Sequence, residues 1–336
     1  MRYEICHKTT YDYEGPVLHG RHVVRQRPRF LPYQSVDECE LTIVPEPVWL
    51  RTERDYFGNV TDVVEVLGAH DRLVATTRSV VTVGPRPIDR QLPVFKRSWE
   101  EARRLLKEDG ATFESREYCY DSPLVRRHTA LRDFAATTFS EGKSILDAVV
   151  EFNHRIFTEF SYDPAATDVA TPLARVLREK RGVCQDFAHV AVGALRSLGL
   201  AARYVSGYLE TNPPAGTERL IGADASHAWA SVFIPDFGWL DFDPTNDVLP
   251  GERHVVAAWG RDFSDASPLK GAGTKYEVAG PDAAVAPAAP AAPATATAAA
   301  APAVDANYAW SAEKAADGSI TFAGSVPNDK LKGFLV

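Results

Sequence analysis

Of 336 residues only one is methionine and four are cysteine. Cys6, Cys39, Cys119 and Cys184 stand singly, with no C-x-x-C pair and no histidine at metal-ligand spacing, so the sequence offers neither a zinc site nor a disulfide framework. No metal or organic cofactor is called for. Long apolar runs are also missing: the chain opens Met-Arg-Tyr-Glu and passes directly into an alternating pattern, without the core of a signal peptide or a spanning segment. The expected location is the cytoplasm, with no membrane partner and with free thiols. Excess positive charge is absent too. The net charge of −8 and pI near 5.6 argue against a nucleic-acid partner, and the short basic run Arg21 to Arg29 reads as a solvated face.

What is present is an ordinary globular composition, 45% apolar and 24% charged, in a chain long enough for two cores. Residues 1–84 read as an all-β domain. Alternating stretches such as Glu40 to Val44 and Val60 to Leu67 are separated by the turn signals Glu14-Gly-Pro16, Pro45-Glu-Pro47 and Asp55-Tyr-Phe-Gly-Asn59. Residues 85–270 change to helical spacing, with helices expected at Trp99 to Lys107, Leu124 to Thr138, Ser144 to Phe157, Pro172 to Lys180 and from Cys184 to Leu198. Strands follow at Ala201 to Glu210, His227 to Ile234 and Trp239 to Asp243. Helices followed by strands predict an α+β domain with the helices packed on an antiparallel sheet. Residues 271–305 are read as a disordered linker, since 281–304 hold 14 Ala and 5 Pro, and 306–336 as a short tail with one or two strands.

One cysteine has surroundings suited to chemistry. In Gly182-Val-Cys184-Gln-Asp-Phe-Ala-His189 a glycine precedes a helical pattern, which puts Cys184 in the first turn, where unpaired N–H groups and the helix dipole favour a thiolate. The backbone N–H of Cys184 is also a candidate oxyanion donor. Ser226-His-Ala-Trp-Ala-Ser-Val-Phe-Ile234 and Phe237-Gly-Trp-Leu-Asp-Phe-Asp-Pro-Thr245 read as paired strands carrying His227 and Asp243. A thiol nucleophile needs a base, and the base an orienting acceptor, and these residues supply the three roles in the order Cys, His, Asp. A turn centred on Pro235 would pair His227 with Asp243, while one between Asp236 and Phe237 would pair it with Asn246. Asp241, on the same strand face as Asp243, is a rival orienter. His189 and the remaining histidines, His254 among them, show no ligand spacing and read as packing or surface residues.

Four ordered segments resemble a bacterial transglutaminase-like cysteine peptidase: Gly182 to His189, Ala201-Ala-Arg-Tyr-Val-Ser-Gly-Tyr208, Ser226-His-Ala-Trp229, and Gly238 to Thr245. The first 83 residues resemble the β domain found ahead of that core, through Tyr3-Glu-Ile-Cys-His-Lys-Thr-Thr-Tyr11 and Asp55 to Asn59. The resemblance implies a papain-like arrangement, with Cys184 as nucleophile, His227 as base and acid, and Asp243 rather than Asp241 as orienter. Tyr162 is a further oxyanion candidate, and Gln185, Trp229 and Trp239 are candidates for lining the cleft. The expected activity is acyl transfer from an amide of a protein or peptide substrate through a thioester, hydrolysis being favoured over cross-linking. The alternatives are a non-enzymatic scaffold or binding module on the same fold, and a maturation partner of a peptide-ligase system.

Overall fold

The computed structural model describes residues 1–86, 88, 92–108, 113–169, 171–210, 226–275, 309–314 and 320–326. Two sheets organise them. The first is built from β1 (Arg2–Val24), β2 (Gln34–Val44), β3 (Trp49–Arg54) and β4 (Val60–Val83). β1 and β4 pair antiparallel almost from end to end, Arg2 facing Thr82 and Val24 facing Asp62, while β2 and β3 share the other edge of β4. Inward positions such as Val24, Val64, Val66, Leu73 and Ala75 are fully or almost fully buried, as alternation on a one-sided sheet requires.

Short helices α1 (Pro93–Lys96), α2 (Trp99–Glu108) and α3 (Phe113–Arg116) lead to α4 (Thr129–Ala136) and α5 (Ile145–Glu159). Ser144 caps α5 through its hydroxyl, which accepts from the Asp147 N–H at 3.1 Å. The helix expected from Leu124 starts only at Thr129. Its first residues are used otherwise, because the Leu124 N–H donates to Asp262 at 2.8 Å and His128 takes the N-cap. The strand β5 (Ser161–Tyr162) runs parallel to β6 (Arg181–Gly182), with α6 (Leu173–Glu179) between them, and β6 leads straight into α7 (Cys184–Ser197).

The second sheet contains β7 (Ala202–Leu209), β8 (His227–Ile234), β9 (Gly238–Phe242) and β10 (His254–Gly260) in the order β10-β7-β8-β9, every pair antiparallel. One face carries Ala202, Ala230, Val232, Ile234, Leu240 and Phe242, which join Phe152, Phe187, Val190 and Leu195 from α5 and α7 in the largest core. This is the papain-like α+β layering. A short α8 (Phe263–Ala266) follows, and β11 (Leu269–Lys275) returns the chain to β1, crossing the boundary expected at residue 270. The expected linker from 276 onward to 305 lies outside the described residues. In the tail, β12 (Ala309–Lys314) and β13 (Ile320–Val326) form a hairpin whose second strand lies parallel to β1.

The two sheets meet along β10. Gln34 donates to the Val256 carbonyl and accepts from the Val256 N–H, both at 2.8 Å, and Asn59 does the same for Trp259, at 2.8 and 2.9 Å. Two side-chain amides thereby satisfy backbone groups that an edge strand would leave open. The basic run Arg21 to Arg29 is corrected here. Arg25 pairs with Asp55 and Arg27 with Asp62, and the buried Arg29 binds the Asn59 amide oxygen and lies 3.5 Å over the Trp259 ring. Of the four arginines in this run only Arg21 is exposed. Arg25 and Arg27 are spent on carboxylates of the first domain, and Arg29 alone of the three carries its charge across to β10.

Candidate active site

The helix α7 presents Cys184 because both of its ends are anchored. At the C-terminal end the buried Arg196 donates to the Ala202 carbonyl at 2.9 and 3.0 Å, to the Ser122 hydroxyl and to the Arg261 carbonyl. At the N-terminal end Asp186 accepts from the Val183 N–H at 2.9 Å and from the Thr167 hydroxyl at 2.5 Å. Gly182 is required at this point because a Cβ there would overlap the Asp186 carboxylate. Burial raises Asp186 to about 6, against the opposing effect of its two hydrogen bonds. Cys184 is thereby fixed as the first residue of the helix, half-buried against Ala188, Tyr204, Ala228 and Phe263, with the unpaired N–H groups of the first turn around it.

His227 begins β8 opposite Gly207 of β7, a position where a Cβ would strike the Val255 carbonyl and the Trp229 ring. The β8–β9 hairpin adopts neither expected register. Ala230 faces Phe242 and Ile234 faces Gly238, so the turn centres on Asp236, which takes a positive φ of 68°. Continued by one step, that register puts Trp229 opposite Asp243. His227 and Asp243 are therefore diagonal neighbours on one face, within reach of long polar side chains. At Asp243 the chain leaves the ladder: its N–H bonds to the Val248 carbonyl at 2.9 Å, and the intervening turn points the carboxylate back at the histidine.

The resulting geometry is tight. His227 Nε2 lies 2.9 Å from Asp243 Oδ2, and both side chains are buried. The other oxygen, Oδ1, accepts from the Thr245 N–H at 2.9 Å, and Asn246 Nδ2 adds a bond to Oδ2 at 2.8 Å. A carboxylate can only accept, so Nε2 of His227 holds the proton and Nδ1 is left for a second partner. Nδ1 is buried without a conventional hydrogen bond to protein. Burial disfavours the imidazolium, but the Asp243 charge, the neighbouring Cys184 and hydrogen bonding to both residues outweigh it and lift His227 to about 10. Burial likewise disfavours the Asp243 anion, but His227 and His254 hold it well below the usual carboxylate range.

The other expected site residues divide. Trp229 is completely buried and lies nearly parallel to the His227 ring, with centroids 6.1 Å apart, so it supports the imidazole from beneath. Trp239 is not beside the trio: it packs on Tyr118, Phe233 and the Arg203 guanidinium towards the other end of β9. Tyr162 lies opposite Gly182 in the β5–β6 pair, partly exposed, with its ring edge-on to Phe187. Gln185 is half-buried in the first turn of α7. Asp241, the rival orienter, is engaged by Arg86 at 3.2 Å. His189 is a packing residue, buried beside Tyr204 and accepting the Phe263 N–H at 3.1 Å. The residue that sequence reasoning missed is His254, whose Nε2 is 3.2 Å from Asp243 Oδ2. Only the strand pattern of His254 to Gly260 could have pointed to it, and nothing in that pattern indicates the diagonal reach to Asp243.

A half-buried cysteine, a buried histidine and a buried aspartate thus stand together on a papain-like frame, and comparison with known proteins gives the family. Residues 3–82 match the bacterial transglutaminase-like N-terminal region, and residues 132–244 match the transglutaminase-like superfamily, a span that includes Cys184, His227 and Asp243. An uncharacterized protein of Mycobacterium tuberculosis is 39% identical over 279 residues, covering 80% of this chain and 87% of the relative. One from Mycobacterium leprae is 31% identical over 273 residues, covering 80% and 92%. The chain belongs to the transglutaminase-like superfamily. It is also 29% identical over 197 residues to the protein-glutamine gamma-glutamyltransferase of Pseudomonas aeruginosa, covering 55% of this chain and 29% of that protein. In fold it resembles a solved candidate cysteine protease from Cytophaga hutchinsonii, with a TM-score of 0.64 at 20% identity, covering 81% and 85%. Among the described residues no helix is long and apolar enough to cross a membrane.

Proposed function

We propose that the protein is an acyl-transfer enzyme that opens amide bonds through a Cys184 thioester. The supporting observation is the bond between His227 Nε2 and Asp243 Oδ2, which leaves Nδ1 as the acceptor for the thiol proton. The Cys184 proton already resides on Nδ1, in keeping with the raised His227, and the sulfur attacks the carbonyl of a glutamine side chain or a peptide. The oxyanion is met by the Cys184 N–H, with Tyr162 as a candidate second donor. His227 then returns the proton to the departing amine, leaving a thioester. Water, activated by the same imidazole, releases the acid and restores the thiol. Hydrolysis is preferred to amine transfer, because cross-linking needs a site that keeps water out. Four cysteines that are all free thiols suit a reducing compartment, which we take to be the cytoplasm.

The test is the rate of Cys184 alkylation by iodoacetamide at neutral pH, wild type against His227→Ala. Rapid, selective reaction that the substitution abolishes is the expected result. If Cys184 reacts no faster than Cys39 or Cys119 in the wild type, the reading as an enzyme fails and a binding scaffold on the same fold takes its place.

A further inference from the structure

His254 opens β10 on the far side of β7 from β8, and its ring is buried 6.4 Å from that of His227 and edge-on to Trp229 at 5.3 Å. Its Nε2 shares Asp243 Oδ2 with His227 and Asn246. Because the carboxylate is acceptor-only, this nitrogen must carry a hydrogen, which leaves the lone pair of the neutral ring on Nδ1. That Nδ1 is buried with no protein partner. The charged groups facing the ring are Asp243, His227 on β8, and Arg86, whose guanidinium donates to the His254 carbonyl at 3.0 Å. Burial and these two neighbouring cations keep the ring neutral, against the pull of Asp243.

We propose that His254 is a positioning residue for the thiol chemistry: a second imidazole whose Nε2–H keeps the Asp243 carboxylate turned toward His227, so that Nδ1 of His227 stays directed at Cys184. The inference rests on the Cys184–His227–Asp243 reading above. Two features separate this contact from ordinary packing. It comes from a different strand from the other donors, which fixes rotation of the carboxylate as well as its charge. It also falls on the oxygen that His227 uses, so losing it is felt by the imidazole directly. His254 lies beyond the residues 132–244 that match the superfamily core. No proton passes through His254, and it touches no reacting atom.

The experiment measures Cys184 alkylation in the full chain from pH 5 to 10, together with the thermal midpoint, for wild type and four variants. His227→Ala tests the underlying reading. His254→Leu removes the donor. His254→Asn keeps a polar group too short to reach Asp243, and serves if the leucine variant does not fold. His254→Gln extends an amide nitrogen to about the place of Nε2. Loss of one hydrogen bond to a charge predicts a rate about tenfold lower at pH 7 for the leucine and asparagine variants, with the acid limb moved to higher pH, and near wild-type behaviour for glutamine. The inference is overturned if His254→Leu or His254→Asn keeps the wild-type rate and limb while His227→Ala is impaired, a result that leaves the triad standing. It is also overturned if all three His254 variants lose thermal stability alike with the pH profile unmoved, which marks a structural role. If His227→Ala is as reactive as wild type, the triad reading itself falls, and this inference with it.

Discussion

At the joint between the sheets, Gln34 and Asn59 each give one donor and one acceptor to backbone groups of β10, so every bond is neutral and the result is a sealed edge. At the outer end of the second sheet, Asp243 gathers three side-chain donors and one backbone N–H onto a single buried charge. Both regions satisfy buried polar groups. They differ in what remains when the bonding is complete. The amide clamps use both of their groups on backbone, whereas the Asp243 cluster leaves two imidazole nitrogens without a protein oxygen or nitrogen partner, Nδ1 of His254 and Nδ1 of His227, the second of them beside Cys184. Chemistry is expected where satisfaction is incomplete, and stability where it is complete.

The largest effect should come from removing the charge while keeping the shape. Asp243→Asn is expected to lower amide-cleaving activity about 10³- to 10⁴-fold, by analogy with triads whose orienting carboxylate is neutralised. The imidazole reports the same change without a substrate. Asp243 raises His227, so in wild type the ring should keep its second proton through the neutral range and lose it near pH 10, and in Asp243→Asn that loss should move to lower pH. An NMR titration of His227 that is unchanged by Asp243→Asn would break the contrast between the two regions at its stronger side.

The elements that carry the candidate site are legible in the sequence. The strand His227 to Ile234 falls on its expected limits, and Cys184 begins α7, because a glycine, an N-terminal turn and an apolar helical stripe are local signals. The register of the hairpin was not legible. It depends on Asp236 accepting a positive φ, and aspartate tolerates but does not announce that conformation. His254 was hidden for a different reason: its partner is 11 residues away through a turn that leaves the ladder at Asp243, so neither periodicity nor motif spacing connects them. The arginines of the first domain are not legible, because a basic run looks the same from sequence whether it faces water or two carboxylates and an indole. Arg27 on Asp62 and Arg29 on Trp259 are long-range contacts with no local mark.

The amide clamps provide the second test of the comparison. Gln34→Ala or Asn59→Ala strands an N–H and a C=O on β10 away from water, which should cost about 1–3 kcal/mol each and appear as a lower midpoint in thermal or urea unfolding. Cys184 alkylation in the folded variant should keep its wild-type pH profile. Clamp variants that lost thiol reactivity without losing stability would mean that the joint also positions the site. Gly182→Ala lies between the two regions in kind, since its added methyl displaces the Asp186 carboxylate that caps α7. A stability loss of about 1–3 kcal/mol is expected, typical of a forced shift in a packed site, together with slower alkylation of Cys184 as the first turn moves.

The smallest effect concerns the thiols that stand apart from both regions. Burial raises Cys39, against the nearby Arg27, and raises Cys119 to about 11. At pH 7 a thiol at that value is ionised in only about one molecule in 10⁴, and the thiolate is the reacting form. Cys39→Ser and Cys119→Ser should therefore leave the alkylation of Cys184 unchanged at neutral pH, with stability altered by about 0.5 kcal/mol or a little more, since neither side chain is fully buried. Peptide mapping after brief iodoacetamide treatment reads this directly. If Cys119 were labelled as fast as Cys184, selectivity would come from exposure rather than from an imidazole held by Asp243, and the difference between a sealed joint and a reactive site would lose its chemical basis.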